Sequence, residues 1–275
     1  MPATYARTAL MPTYRRNAGR VEPRAWGAAE RVLRAETAAG GAAVYDYSAA
    51  DVTKLPGVTP ATWPARRGGL PAAVLGTPTV AAPDSDLNAP SVAFGTSGDG
   101  YNTAGALDWS SRTVATLLSV SYCATTGGAN VRSPGAVITA PGQTASNGGL
   151  ALYYFDEKAT GIHKADGAGG FVFERDADAD TGQARVLVTA HNTAAAASDE
   201  IRLYLDGTEE TGTQSGSSGG NPWYAAMNVA LGYRGGNTGE SLGGRLARFI
   251  VTTRLMPEEA AVRCSAALQV INRLP

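Results

Sequence analysis

A chain of 275 residues and 28.2 kDa is long enough to bury a substantial core, which excludes a miniprotein that needs disulfide staples. Hydrophobic residues at 44%, charged residues at only 17% and 34 glycines exclude a long helical bundle or a disordered chain and indicate a turn-rich globular protein. A net charge of −1 leaves no global basic field, so specific nucleic-acid binding is not expected.

The two cysteines, Cys123 and Cys264, are too few and too far apart for a disulfide framework or a zinc site. The first ten residues hold no apolar run of signal-peptide length, and no segment approaches the roughly 18 to 20 apolar residues that span a bilayer. The expectation is a soluble chain without an export signal.

Residues 1–21 read as a basic arm with too little apolar content to fold alone. Over residues 1–35 seven arginines face two glutamates, a local charge of +5. Tyr5, Leu10 and Tyr14, interspersed with Arg7, Arg15, Arg16 and Arg20, give the arm anchor side chains as well as charge, which suits docking onto an acidic surface of another protein. A helix follows, with Pro23 in its first turn, Trp26, Ala29 and Leu33 as its apolar stripe and Gly40 as its stop. Residues 1–42 are thus set apart from a domain spanning 43–275.

After Gly41 the periodicity becomes twofold for about 200 residues, punctuated by glycine, proline, asparagine and aspartate. Strands are predicted over 91–94, 113–122, 150–155, 170–174, 184–190, 200–205, 227–233 and 245–252. In Glu200-Ile-Arg-Leu-Tyr-Leu-Asp-Gly207, Ile201, Leu203 and Leu205 share one face, Arg202 and Tyr204 the other, and Asp206-Gly207 signals a hairpin. Such a run without intervening amphipathic helices predicts an all-β, two-sheet antiparallel sandwich. Met256-Pro-Glu-Glu259 opens a short closing helix with Cys264, Leu268 and Ile271 as its stripe.

The ordered series Val44-Tyr-Asp-Tyr-Ser-Ala-Ala-Asp51, Thr62-Trp-Pro-Ala-Arg66, Leu87-Asn-Ala-Pro-Ser-Val-Ala-Phe94, Gly98-Asp-Gly-Tyr101, Leu203-Tyr-Leu-Asp-Gly207, Val229-Ala-Leu-Gly232 and Gly244-Arg-Leu-Ala-Arg-Phe-Ile-Val251, then Leu255-Met-Pro-Glu-Glu259, resembles the laminin-G-like, concanavalin-A-like jelly-roll family. The form it is similar to is the divergent one common in structural proteins of phages and phage-like particles, and the likeness spans roughly residues 43 to 270. The resemblance implies a jelly roll flanked by an N-terminal arm and helix and a C-terminal helix. Because this superfold hosts lectins, glycanases and inert virion parts alike, the site has to be argued from its residues.

Glycanases of this fold need acid and nucleophile on one face, about 5 to 5.5 Å apart. Glu174-Arg-Asp-Ala-Asp178 lacks the final glutamate of such a pattern and runs into a turn, so no catalytic residue is assigned. Asp176, Asp178 and Asp180 imitate the start of a calcium loop, but Thr181 replaces its glycine and Leu187 its bidentate glutamate. Solvated turn acids are the favoured account and calcium the lesser one, and Asp99 and Asp108 are weaker candidates still, implied only by the metal-binding habit of the family that the chain resembles. His163 and His191 lack the partners of a zinc site or serine triad and read as ordinary strand or loop residues.

Sugar binding needs aromatic faces and planar polar groups, which Asn221, Trp223 and Tyr224 with Arg234 and Asn237 offer, and Tyr101 with Trp109 offers second. The alternative for these aromatics is sealing the ends of the sandwich. The reading as a whole is a non-enzymatic virion structural protein of a tailed phage or phage-like particle: a head decoration, head spike or tail-fibre component. It would be assembled in the host cytoplasm, homo-oligomeric, held to other virion proteins by its arm, and able to touch cell-surface polysaccharide. A free carbohydrate-binding adhesin or a divergent polysaccharide-degrading enzyme is the competing reading.

Overall fold

The computed structural model describes residues 23–274 except positions 53–54, 86, 97, 104, 106, 110, 125–130, 140–144, 157, 171, 176–180 and 234–239. Helix α1 (Pro23–Ala38) leads into strands β1 (Val44–Ser48), β2 (Thr62–Trp63), β3 (Ala72–Leu75), β4 (Thr79–Ala81), β5 (Ser91–Ala93), β6 (Gly100–Thr103) and β7 (Leu107–Asp108). The longer strands follow: β8 (Val114–Cys123), β9 (Val131–Ile138), β10 (Gly149–Phe155), β11 (Lys158–Lys164), β12 (Val172–Arg175) and β13 (Ala184–Asn192). The chain closes with β14 (Ile201–Leu205), β15 (Thr208–Glu210), β16 (Thr213–Ser215), β17 (Ala226–Leu231), β18 (Gly244–Thr252) and helix α2 (Glu258–Asn272).

All the strand pairings are antiparallel and form two sheets. The eight-stranded sheet runs β15-β14-β13-β8-β18-β5-β4 with β1 also on β18, and the ten-stranded sheet runs β16-β12-β11-β10-β9-β17-β6-β3-β2 with β7 on β17. The two-sheet antiparallel jelly-roll sandwich with terminal helices is therefore the fold, and each of the eight predicted strands is present. Between the sheets lie Trp63, Tyr101, Trp109, Leu117, Leu152, Tyr154, Val229 and Phe249, all but inaccessible. Burying large aromatic and aliphatic side chains at this density supplies the main drive for folding.

Among the strands of seven or more residues, sequence periodicity misses β9 and β11. In β9 the run Val131-Arg-Ser-Pro-Gly-Ala-Val-Ile138 carries a proline and a glycine that argue against a central strand. The pairing with β10 shifts between Leu152 and Tyr154, opposite this proline, and the Ser133 hydroxyl donates to the Leu152 carbonyl at 3.0 Å. Gly135 is required because the Phe249 ring lies 2.7 Å from where a Cβ would stand.

Neither outer face of the sandwich is bare. Leu118, Val120, Val186, Val188, Tyr204 and Ile250 of the eight-stranded sheet pack under Ala29 and Leu33 of α1 and under Cys264 and Leu268 of α2. On the outward face of β14, expected to be half-buried, Tyr204 is fully buried while Arg202 stays exposed. Burial pushes the Cys264 thiol up to about 12, so it stays protonated. On the ten-stranded sheet Ala136, Ala151, Ile162 and Ala230 form an apolar floor with Ala145 from the loop that follows β9.

The predicted stripe of α1 is corrected at one position: Ala29 and Leu33 are buried, but Trp26 is 43% exposed. The helix turns Glu30 and Thr37 inward instead. Glu30 accepts from Arg248 Nη1 at 2.7 Å and from Arg66 Nη1 at 3.0 Å. Arg248, 1% exposed, also grips Asp46 through Nε at 3.0 Å and Nη2 at 2.8 Å. One guanidinium thus binds carboxylates on either side of the boundary drawn at residues 42 and 43.

Candidate functional site

The aromatic residues singled out for sugar stacking are turned inward. Tyr101 and Trp109 are fully buried and Trp223 is 2% exposed. Tyr101 donates to the Pro60 carbonyl at 3.0 Å and meets Trp63 edge-on, while Trp109 stacks on Tyr45. A ring enclosed on both faces offers no stacking platform, and these three close the ends of the sandwich core. Tyr224 and Asn221 remain partly exposed, with Asn221 Nδ2 donating to the Ser218 carbonyl at 3.0 Å. Arg234, Asn237, the arm residues and Asp176, Asp178 and Asp180 lie outside the described residues, as does the side chain of Glu174. Asp99 accepts backbone N–H groups of Thr77 and Gly95, each at 2.7 Å, which ties two loops together. Among the described residues no group of three or more candidate metal ligands converges.

The fold assembles a polar cluster that sequence spacing did not show. His163 on β11 and His191 on β13 come from opposite sheets and meet through their Nδ1 atoms at 3.1 Å. His163 Nε2 lies 3.0 Å from Glu200 Oε2 and 2.8 Å from Ser218 Oγ, and His191 Nε2 lies 2.9 Å from Thr189 Oγ1. Glu200 also accepts the Ser217 hydroxyl and the Ser218 N–H, each at 2.9 Å, and the Ser218 hydroxyl. Trp223 closes over both imidazoles, with centroids at 5.1 and 6.4 Å.

A single assignment of protons fits this network with both rings neutral: Thr189 donates to His191 Nε2, His191 Nδ1–H to His163 Nδ1, and His163 Nε2–H to Glu200. Burial lowers His163 despite its bond to Glu200, and burial beside His163 holds His191 well below the ordinary histidine range. Burial alone would raise Glu200, but the bonds from His163, Ser218 and Ser217 outweigh it and hold the carboxyl at about 2. In a serine triad the hydroxyl and the carboxylate sit on opposite ring nitrogens. Here both sit on Nε2 of His163 and all three groups are buried, so the cluster braces the fold.

What it braces opens on the surface directly beside it. A cleft of about 430 Å³ lies at the free edge of the eight-stranded sheet and is lined by Asp199, Arg202, Glu209, Glu210, Thr211 and Gln214, among others. Glu200, anchored inside, stands between the cleft residues Asp199 and Ile201, so the buried cluster fixes one wall. Arg202 Nε faces Glu209 at 4.0 Å across the β14–β15 hairpin. Gln214 Oε1 accepts the Ile201 N–H at 3.0 Å, which orients the amide and leaves its buried Nε2 without an acceptor. The cleft thus presents carboxylates, a guanidinium and a hydroxyl, groups that can hydrogen-bond hydroxylated ligands. The hairpin signal at Asp206-Gly207 was readable in sequence, but the approach of Gln214 from the other sheet was not.

No protein-family model and no curated protein matches the chain. Among solved structures it is similar to Trypanosoma rangeli sialidase, with a TM-score of 0.55 at 11% identity over 90% of this chain and 39% of that one. It is also similar to the botulinum neurotoxin serotype D binding domain, with a TM-score of 0.55 at 10% identity over 82% of this chain and 50% of that one. The chain therefore spans half or less of the length of these two structures. These likenesses show the fold alone, an antiparallel two-sheet β-sandwich.

Proposed function

We propose that the chain is a carbohydrate-binding jelly-roll module whose ligand sits in the cleft beside β14 and β15. The observation that carries this is the polar cleft at the free edge of the eight-stranded sheet, one wall of which is braced from inside by Glu200. The two similar structures, a sialidase and a toxin binding domain, agree with a sandwich used for recognition, while the site rests on this chain's own residues. The module binds without cleaving, since its only buried acid–base cluster lacks both triad geometry and access among the described residues.

Screening against a glycan array is the test. Arg202→Ala is expected to weaken binding at least about tenfold with an unchanged melting temperature, because a charge-assisted hydrogen bond is lost at a surface site. Binding that is indifferent to Arg202→Ala and Gln214→Glu overturns the placement of the ligand, and turnover of a bound polysaccharide overturns the non-catalytic reading.

A second reading is favoured by the basic arm: display on a phage or phage-like particle, with residues 1–21 docked on neighbouring virion proteins and the sandwich presented outward. Full-length protein is expected to co-sediment with particles depleted of it, and protein lacking residues 1–21 to stay in the supernatant. Sedimentation of both or of neither removes the arm as anchor.

A further inference from the structure

We propose that residues 211–226 form a strap latched over the paired imidazoles of His163 and His191, and that acidification releases this strap from an otherwise folded sandwich. The inference stands apart from the glycan reading of the cleft. Within the stretch only Ser218 and Trp223 are buried, and both rest on the histidine cluster: the Ser218 hydroxyl lies 2.8 Å from His163 Nε2, and the Trp223 ring meets both imidazoles edge-on. Its remaining ties include three residue pairs of β16 with β12 at the end of the ten-stranded sheet, the Trp223 N–H donating to the Arg112 carbonyl at 2.7 Å, and the Pro222 carbonyl accepting the Asp166 N–H at 3.0 Å. A segment with so few buried contacts opens at lower cost than the strands beneath it.

The latch works through the 3.1 Å contact between the two Nδ1 atoms, which has room for one hydrogen. A first added proton fits in place: His163 then holds a hydrogen on each nitrogen and still donates to Glu200, while His191 moves its own hydrogen to Nε2 and donates to Thr189 Oγ1. A second proton puts hydrogens on both Nδ1 atoms, with no acceptor between them and two positive rings in a space closed to water. Among the described residues the one charged group facing the rings is Glu200, from the turn before β14. Strand β13 adds Thr189, the strap adds Ser217, Ser218 and Trp223, Asp166 meets the strap through its backbone, and the Glu174 side chain on β12 lies outside the described residues. One carboxylate balances one imidazolium, so the second proton is admitted only where water reaches the rings. The strap is the thin side, since Ser217 and Gly219 on either side of Ser218 are exposed. Burial holds both histidines below their ordinary value in the closed form, so an opened form takes up protons that the closed one refuses, and falling pH favours opening.

The experiment follows amide hydrogen exchange of the full-length protein from pH 7.5 to 5, expressed as protection relative to the intrinsic rate at each pH. Acrylamide quenching of a Trp26→Phe variant accompanies it, because the three remaining tryptophans are all buried. Protection of the Ser218 and Trp223 amides is expected to fall at least about tenfold for each pH unit below 6.5, the effect of one proton taken up on opening. At pH 5 it should stand at least about a hundredfold below that of Leu118 and Val120 in β8, and acrylamide should reach one tryptophan. His191→Gln removes one proton site and keeps an amide able to bond His163 and Thr189, so its strap should stay protected at pH 5. Loss of protection by the strap and β8 together would mean that the rings meet water only by unfolding, and a strap still protected at pH 5 would mean that acid does not open the latch. Either outcome in the unaltered protein, which needs no variant to fold, overturns the proposal, and so does a His191→Gln strap that opens as readily as the unaltered one.

Discussion

Acidification from pH 7.5 to 5 is expected to destabilise this protein steeply, and the two buried histidines are the cause. Their folded forms are held below the ordinary value of 6.5. Below about pH 6.5 the unfolded chain therefore takes up protons that the folded chain refuses, and the stability of the fold drops as pH falls. The slope is about 1.4 kcal/mol per pH unit for each histidine that stays neutral in the fold. His163 and His191 are the only histidines in the sequence, which makes the assignment clean.

Glu200 adds a second, more acidic window. Its carboxyl is held at about 2 against 4.5, so its contribution is complete above pH 4.5 and is lost as pH falls from there toward 2. Urea midpoints measured across this range in the unaltered protein and in His191→Gln check the account. The substitution should flatten the slope between pH 6.5 and 5 by about 1.4 kcal/mol per pH unit, because one of the two proton sites is gone. A flat profile in the unaltered protein would refute a neutral buried pair.

The second large effect belongs to Arg248. Removing its guanidinium with Arg248→Met strands the carboxylates of Glu30 and Asp46, which are 5% and 0% exposed. Arg66 still reaches Glu30 at 3.0 Å, but Arg67 Nε is 3.8 Å from Asp46 and is itself partly exposed. Breaking a buried pair by deleting one partner costs about 3–5 kcal/mol, and that is the loss expected in denaturant unfolding. Because Glu30 anchors α1, limited proteolysis should also cut faster between residues 23 and 42. A loss under about 1 kcal/mol would mean that the network is not what holds the helix. Adding Glu30→Gln to Arg248→Met should recover part of the loss, since it removes one of the stranded charges.

Much of the architecture was legible in the chain because its signals are local. Alternation in Ile201-Arg-Leu-Tyr-Leu205, the Asp206-Gly207 turn and the proline-led start of α2 each depend on neighbours in sequence. Strand β9 was hidden because its proline and glycine are tolerated only through a shift in pairing with β10 and the ring of Phe249. The orientation of Trp26 was misjudged for a similar reason: Glu30 must point inward, and its partner Arg248 lies 218 positions away.

The site divides along the same line. Composition identified tryptophans and tyrosines able to stack on sugars, but burial is a property of the whole sandwich, and the packed sheets turn Tyr101, Trp109 and Trp223 inward. By itself the sequence determined an all-β sandwich with a helix at each end and a basic arm, since periodicity, turn chemistry and charge are carried by short stretches of chain. Only the tertiary structure decided that His163, His191, Glu200 and Ser218 meet, and that Gln214 joins Arg202 and the acidic hairpin in one cleft. His163 and His191 lie on strands of different sheets, as do Arg202 and Gln214, and what brings them together is the closing of the sandwich over its core.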